Sequence, residues 1–165
     1  MDDMLQSKEG RHELPILMTG RNRKTINRII SYFAPREILW VSNRHGDTET
    51  WISVQSDHND QLQISSRKIA SSEFDNLPIP DLLLLDLADP GDWEPAYNKY
   101  SYRLGADSLV IINGIHLSPM HTEAWSAIYK NGQVKLSLDL YRVGILLYRE
   151  TFLEKQHFLL KPPVT

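Results

Sequence analysis

"DLLLLDLADPGDWEPAYNKYSYRLGADSLVIING", residues 81 to 114, decides how this chain is built. It holds two continuous apolar runs of strand length, DLLLLDLA (81–88) and DSLVIING (107–114). A strand covered on both faces has no polar side to alternate, so uninterrupted runs of this kind mark parallel strands in a doubly covered sheet. Between them, DWEPAYNKYSYRLG (92–105) predicts a helix. Pro95 falls in its first turn, Tyr97, Tyr100 and Leu104 share a face, and Gly105 closes it. The unit is strand, helix, strand.

The same pattern extends in both directions. Upstream, RNRKTINRIISYFAP (21–35) sets Ile26, Ile29, Ile30 and Phe33 at helical spacing, and Pro35 stops the helix. EILWVS (37–42) then reads as a short buried strand leading into a loop with one glycine, SNRHGD (42–47). Downstream, SPMHTEAWSAIYKNG (118–132) predicts a helix with Ser118 as N-cap, Pro119 at its first position and Asn131-Gly132 as its stop. The end changes character. VKLSLDLYRVGILLYR (134–149) alternates on Val134, Leu136, Leu138 and Leu140, turns near Gly144 and continues as a second apolar strand. That is a hairpin, so one antiparallel strand is expected, and QHFLLK (156–161) offers a further short strand.

One segment reads two ways. TETWISVQS (48–56) has β-favouring residues, but as a strand it leaves too few residues for a parallel crossover, which takes a dozen or more. Reading Asp47 as an N-cap and 48–56 as a short helix restores the length, and QLQIS (61–65) becomes the next strand. The result is an α/β chain with a mostly parallel sheet. It divides into a flexible N-terminal segment, 1–18, and one domain, 19–165.

Composition limits the function classes. The 165 residues suit one domain, and 41% hydrophobic with 24% charged residues is ordinary for a soluble protein. No cysteine is present, which excludes disulfides, thiolate metal sites and cysteine nucleophiles. The polar start has no secretory h-region and no apolar run approaches membrane-spanning length, so a cytoplasmic protein without membrane contact is expected. The net charge of −3 speaks against a dedicated nucleic-acid binder. Residues 21–28 nevertheless carry four basic side chains and no acid, while 73–94 carry seven acids and no base. The basic run is read as a solvated helix face, with phosphate or nucleic-acid binding as its alternative.

The order of elements resembles class I S-adenosylmethionine-dependent methyltransferases. DLLLLDLADP looks like the family's fourth strand, and DSLVIINGIHLSPMHTEAWSAI like the fifth strand and following helix of small bacterial O-methyltransferase-like proteins. VKLSLDLYRVGILLYRETFLEKQHFLLK is similar to that group's closing hairpin. The likeness runs patchily over residues 19–161. It implies a truncated Rossmann-like methyltransferase fold: a reduced, mostly parallel sheet, helices on both faces and an antiparallel C-terminal hairpin.

The motifs that carry the family's chemistry are altered. The first strand should end in an acid and a glycine-rich turn, because only glycine lets backbone approach the cofactor. Here Trp40 stands for the acid, Ser42 for the first glycine, and Gly46 is the glycine left. In the preferred register the acid that ends the second strand and binds ribose hydroxyls is replaced by Ser65 or Ser66, and Asp57 could serve only if 48–56 were the strand. The metal-binding pair after the fifth strand is Asn113-Gly114. Only about fifteen residues separate QLQIS from PDLLLLD (80–86), room for a short helix around SSEFDNL (71–77) but not for the family's extra strand and helix.

Candidate site residues follow from this. Asp86 ends a buried strand and could serve as general base or cap a loop. His116 could be an acid or base, or fix its loop by a hydrogen bond. Asn43, His45 and Gly46 would touch S-adenosylmethionine if any cofactor is bound; no cofactor is the leading expectation. His121 lies off the i, i+4 spacing of a helical metal pair, SDHND (56–60) reads as a polar turn, and no metal is expected. Trp40, Trp93, Trp125, Tyr141 and Phe158 are mostly core candidates, some open to an interface through the apolar hairpin. The leading reading is a degenerate, non-catalytic methyltransferase-like domain that works through a protein partner or self-association. Its alternative is an active methyltransferase with an unorthodox site at Asn43, His45, Gly46 and Asp86.

Overall fold

The computed structural model describes residues 20–42, 63–67, 79–149, 151 and 154–160. Expectations for residues 1–18, for Asn43, His45 and Gly46, and for 48–56, 56–60 and 71–77 fall outside these residues.

Helix α1 (Gly20–Phe33) precedes strand β1 (Glu37–Ser42), and β2 (Gln63–Arg67) and β3 (Leu82–Asp86) follow. A short 3-10 turn, Pro90–Asp92, leads into α2 (Trp93–Ser101), then β4 (Leu109–Asn113) and α3 (Pro119–Tyr129). The chain closes with β5 (Leu136–Asp139), β6 (Val143–Leu147) and β7 (Gln156–Leu159). All seven strands form one sheet in the order β2-β1-β3-β4-β6-β5-β7. β2, β1, β3 and β4 run parallel, β6 is antiparallel to β4 and β5, and β7 is parallel to β5.

Both faces of the sheet are covered, which is why its central strands alternate nothing. Ile38, Trp40, Leu82, Leu84, Leu109 and Ile111 pack with Ile26, Ile29 and Ile30 of α1. Their neighbours Leu39, Val41, Leu83, Leu85, Val110 and Ile112 pack on the other side with Trp93, Ala96, Tyr97 and Tyr100 of α2 and with Trp125 and Ile128 of α3. Each buried leucine or isoleucine stabilises the fold by about 1.5–3 kcal/mol relative to leaving it in water. Ser118 caps α3 as its sequence indicates, accepting from the His121 amide, and Pro119 occupies the first turn.

Three expectations need correction. The hairpin turns at Leu140–Arg142, where Leu140 N–H donates to the Val143 carbonyl, and not near Gly144. Gly144 lies inside β6 for a packing reason: a Cβ there would sit 2.5 Å from Cη2 of Trp125. The turn takes its left-handed residue from Tyr141 instead, at φ 70°. Helix α2 ends at Ser101, four residues before Gly105, whose amide donates to the Ser108 hydroxyl in the following loop. β2 runs two residues later than 61–65, so Ser65 and Ser66 lie inside the strand, opposite Leu39 and Trp40, and Arg67 ends it. Of the five aromatics read as mostly core, Trp40, Trp93 and Trp125 are buried, while Tyr141 is 51% and Phe158 47% exposed.

Candidate functional site at the strand ends

The sheet reverses its winding between β1 and β3, since β2 lies on one side of β1 and β3 on the other. Open α/β sheets take ligands outside the carboxyl ends of the strands that flank such a reversal. Those ends are Ser42 and Asp86, partners in the β1–β3 register, with Asn113 ending β4 beside them.

At this edge the polar side chains hold one another. Asn22 Nδ2 donates to Asn113 Oδ1 at 2.7 Å, and Asn113 Nδ2 donates to Asp86 Oδ1 at 3.1 Å. Asn22 is 3% exposed, Asn113 0% and Asp86 2%, with Ser42 buried alongside. Asn22 reaches the edge because it sits one helical turn before Ile26, on the buried stripe of α1. The basic residues around it, Arg21, Arg23, Lys24 and Arg28, point into solvent. Sequence reasoning placed Asp86 and Asn113 here but missed Asn22, although its i, i+4 spacing to Ile26 was the available signal.

Tested against S-adenosylmethionine, the described residues do not fit. Asp86 is committed to an amide within the protein. Trp40 fills the α1-side core where the family has an acid. Among the described residues no group of three or more His, Asp or Glu side chains is placed to hold a metal ion.

His116 belongs to a second cluster. Its Nε2 lies 2.6 Å from Asp139 Oδ2 and its Nδ1 2.8 Å from Thr122 Oγ1, which links its loop to the hairpin and to α3. Asp139, only 3% exposed, also accepts from Trp125 Nε1 and the Tyr141 amide. His121 is held apart, bonded to Ser118 Oγ and the Ala88 carbonyl. Nothing in the sequence alone paired His116 with Asp139; that contact needs the β5–β6 turn to return beside the loop after β4.

At the hairpin end of the sheet, β7 is exposed along its whole length, and Phe158, Leu159 and Leu160 present apolar surface. His157 anchors the strand, 2.6 Å from Ser137 Oγ and stacked at 4.0 Å on Tyr129. Partial burial lowers the His157 pKa, and Asp139 opposes that shift. Elsewhere in the core, burial pushes the paired hydroxyls of Tyr97 and Tyr148, 2.6 Å apart, above the ordinary tyrosine range.

Three solved structures resemble this fold. TomG, an O-methyltransferase from Streptomyces achromogenes solved with SAM, superposes with a TM-score of 0.56 and 9% identity, covering 81% of this chain and 82% of its own. An O-methyltransferase from Bacillus cereus in complex with SAH gives 0.53 at 11% identity, covering 88% and 89%. The SAH-bound methyltransferase PaMTH1 from Podospora anserina gives 0.51 at 10%, covering 77% of each chain. No protein-family model matches the sequence, and no curated protein matches it. The chain therefore has the Rossmann-like fold of class I S-adenosylmethionine-dependent methyltransferases. Its resemblance is to the small bacterial O-methyltransferase-like group within them. Among the described residues no helix is long and apolar enough to cross a membrane.

Proposed function

We propose that this is a methyltransferase-fold domain that has given up methyl transfer and acts through protein contacts. One observation carries the reading: the Asn22–Asn113–Asp86 chain of hydrogen bonds, buried across the strand ends where the fold would otherwise seat cofactor and acceptor. A general base must reach a substrate proton, and a carboxylate 2% exposed and bonded to a neighbouring amide is spent on structure. Opening the edge would leave three buried polar groups without these partners, at about 1–3 kcal/mol for each. The protein contacts are assigned to the β7 end of the sheet, where an edge strand and exposed apolar side chains lie together. Self-association is the first form to examine.

Differential scanning fluorimetry with millimolar S-adenosylmethionine or S-adenosylhomocysteine tests the first half. No shift in melting temperature is expected, and a rise of several degrees contradicts the reading. Sedimentation velocity tests the second half. Association that Phe158→Glu with Leu160→Glu abolishes supports it, and a monomer that captures no partner contradicts it.

A further inference from the structure

We propose that Thr122 is a hydroxyl nucleophile, activated by His116 for acyl transfer from small carboxylic esters. This site is separate from the closed strand ends and does not depend on the reading given for them.

The geometry is that of a nucleophile, a base and an orienting acid. Asp139 is buried and accepts from the Trp125 indole and the Tyr141 amide, so its carboxylate is fixed in place. A carboxylate only accepts, which puts the His116 proton on Nε2, the atom 2.6 Å away. Nδ1 then carries the lone pair and accepts from the Thr122 hydroxyl at 2.8 Å, inside the range a base needs to take a nucleophile's proton. Thr122 is exposed while Asp139 is not, so the relay runs from a sequestered carboxylate to an accessible oxygen.

The neighbouring pair shows why the assignment falls on Thr122. Ser118 also donates to an imidazole, that of His121, but the far nitrogen of His121 meets the Ala88 carbonyl. A neutral carbonyl stabilises a developing imidazolium less than a carboxylate does. Thr122, His116, Ser118, Ser126 and Lys130 line one groove of about 770 Å³ along α3, ample for a small ester. Side chains lean toward a helix's N-terminus, which brings Thr122 Oγ1 over the first turn of α3.

The step balances. Thr122 Oγ1 bonds to the ester carbonyl carbon while its proton passes to His116 Nδ1. The bond from that carbon to the leaving oxygen breaks, and the departing alcohol takes the proton. Water then attacks the acyl-threonine by the same route, releasing the acid and restoring the hydroxyl.

The test treats the full chain with a fluorophosphonate probe, which would form a phosphorus–oxygen bond at the nucleophile and release fluoride, and maps the adduct by peptide mass spectrometry. Labelling at Thr122 is expected. It should be retained in Thr122→Ser, absent in Thr122→Ala, and slowed about 100-fold or more in His116→Gln with the melting temperature checked. With p-nitrophenyl acetate, Asp139→Asn should lower kcat and leave KM unchanged, the mark of a positioning residue. No adduct, an adduct elsewhere, or a folded His116→Gln that labels as fast as the parent overturns the proposal. Because Thr122 is exposed, Thr122→Ala tests it even if the histidine variant fails to fold.

Discussion

Asn22 and Asn113 stand 91 residues apart in the chain and share a buried hydrogen bond of 2.7 Å. It joins the helix that precedes the first strand to the end of β4, and through Asn113 it extends to Asp86. The Asn22 amide donates to the Asn113 carboxamide oxygen, and the Asn113 amide donates to the Asp86 carboxylate.

The first prediction concerns that bond. Asn22→Leu keeps the stripe apolar but strips Asn113 Oδ1 of this donor, so it should destabilise the protein by about 1–3 kcal/mol. Urea denaturation with an unchanged m-value checks it. A loss below about 0.5 kcal/mol would mean the amide chain does not hold the edge together.

Gly144 gives a packing prediction. A methyl group there would sit 2.5–2.9 Å from three carbons of the Trp125 ring, which is itself bonded to Asp139 and cannot easily retreat. Gly144→Ala should therefore cost about 1–3 kcal/mol, as overpacking does. Thermal unfolding followed by tryptophan fluorescence measures it, and parental stability would refute the close approach.

His157 gives a pH dependence with a definite sign. Partial burial lowers its pKa below the ordinary 6.5, against the pull of Asp139. The folded state therefore prefers the neutral ring. Its contribution is whole above pH 6.5, where the ring is neutral in both states, and is lost as pH falls toward the folded value. Amide exchange in β7, corrected for intrinsic rates, should accelerate as pH drops from about 7.5 to about 5. His157→Gln should remove that dependence. An unchanged profile in the variant would point to another group.

Much of the scaffold was legible because burial on both faces leaves unmistakable runs, such as LLLLD and LVIIN, and because Ser118-Pro119 spells out a helix start. What the sequence hid were relationships settled by distance in space. Gly144 looked like a turn residue, since glycine serves turns and close approaches alike, and only the position of Trp125 distinguishes them. Tyr141 takes the left-handed turn position that glycine would fill more easily. Asn22 lay among arginines and was read with them, although its spacing put it on the buried stripe. At the site, the end-of-strand positions of Asp86 and Asn113 were readable from the runs they terminate. Their hydrogen bond to each other, and the His116–Asp139 contact, arise from tertiary return of the chain and have no local signal.

The most direct measurement of the central claim is calorimetric titration of the full chain with S-adenosylmethionine and S-adenosylhomocysteine. The closed Asn22–Asn113–Asp86 edge predicts no binding heat with either ligand at concentrations up to about 1 mM, weaker than roughly −4 kcal/mol. Saturable binding of either one at micromolar concentration would contradict it.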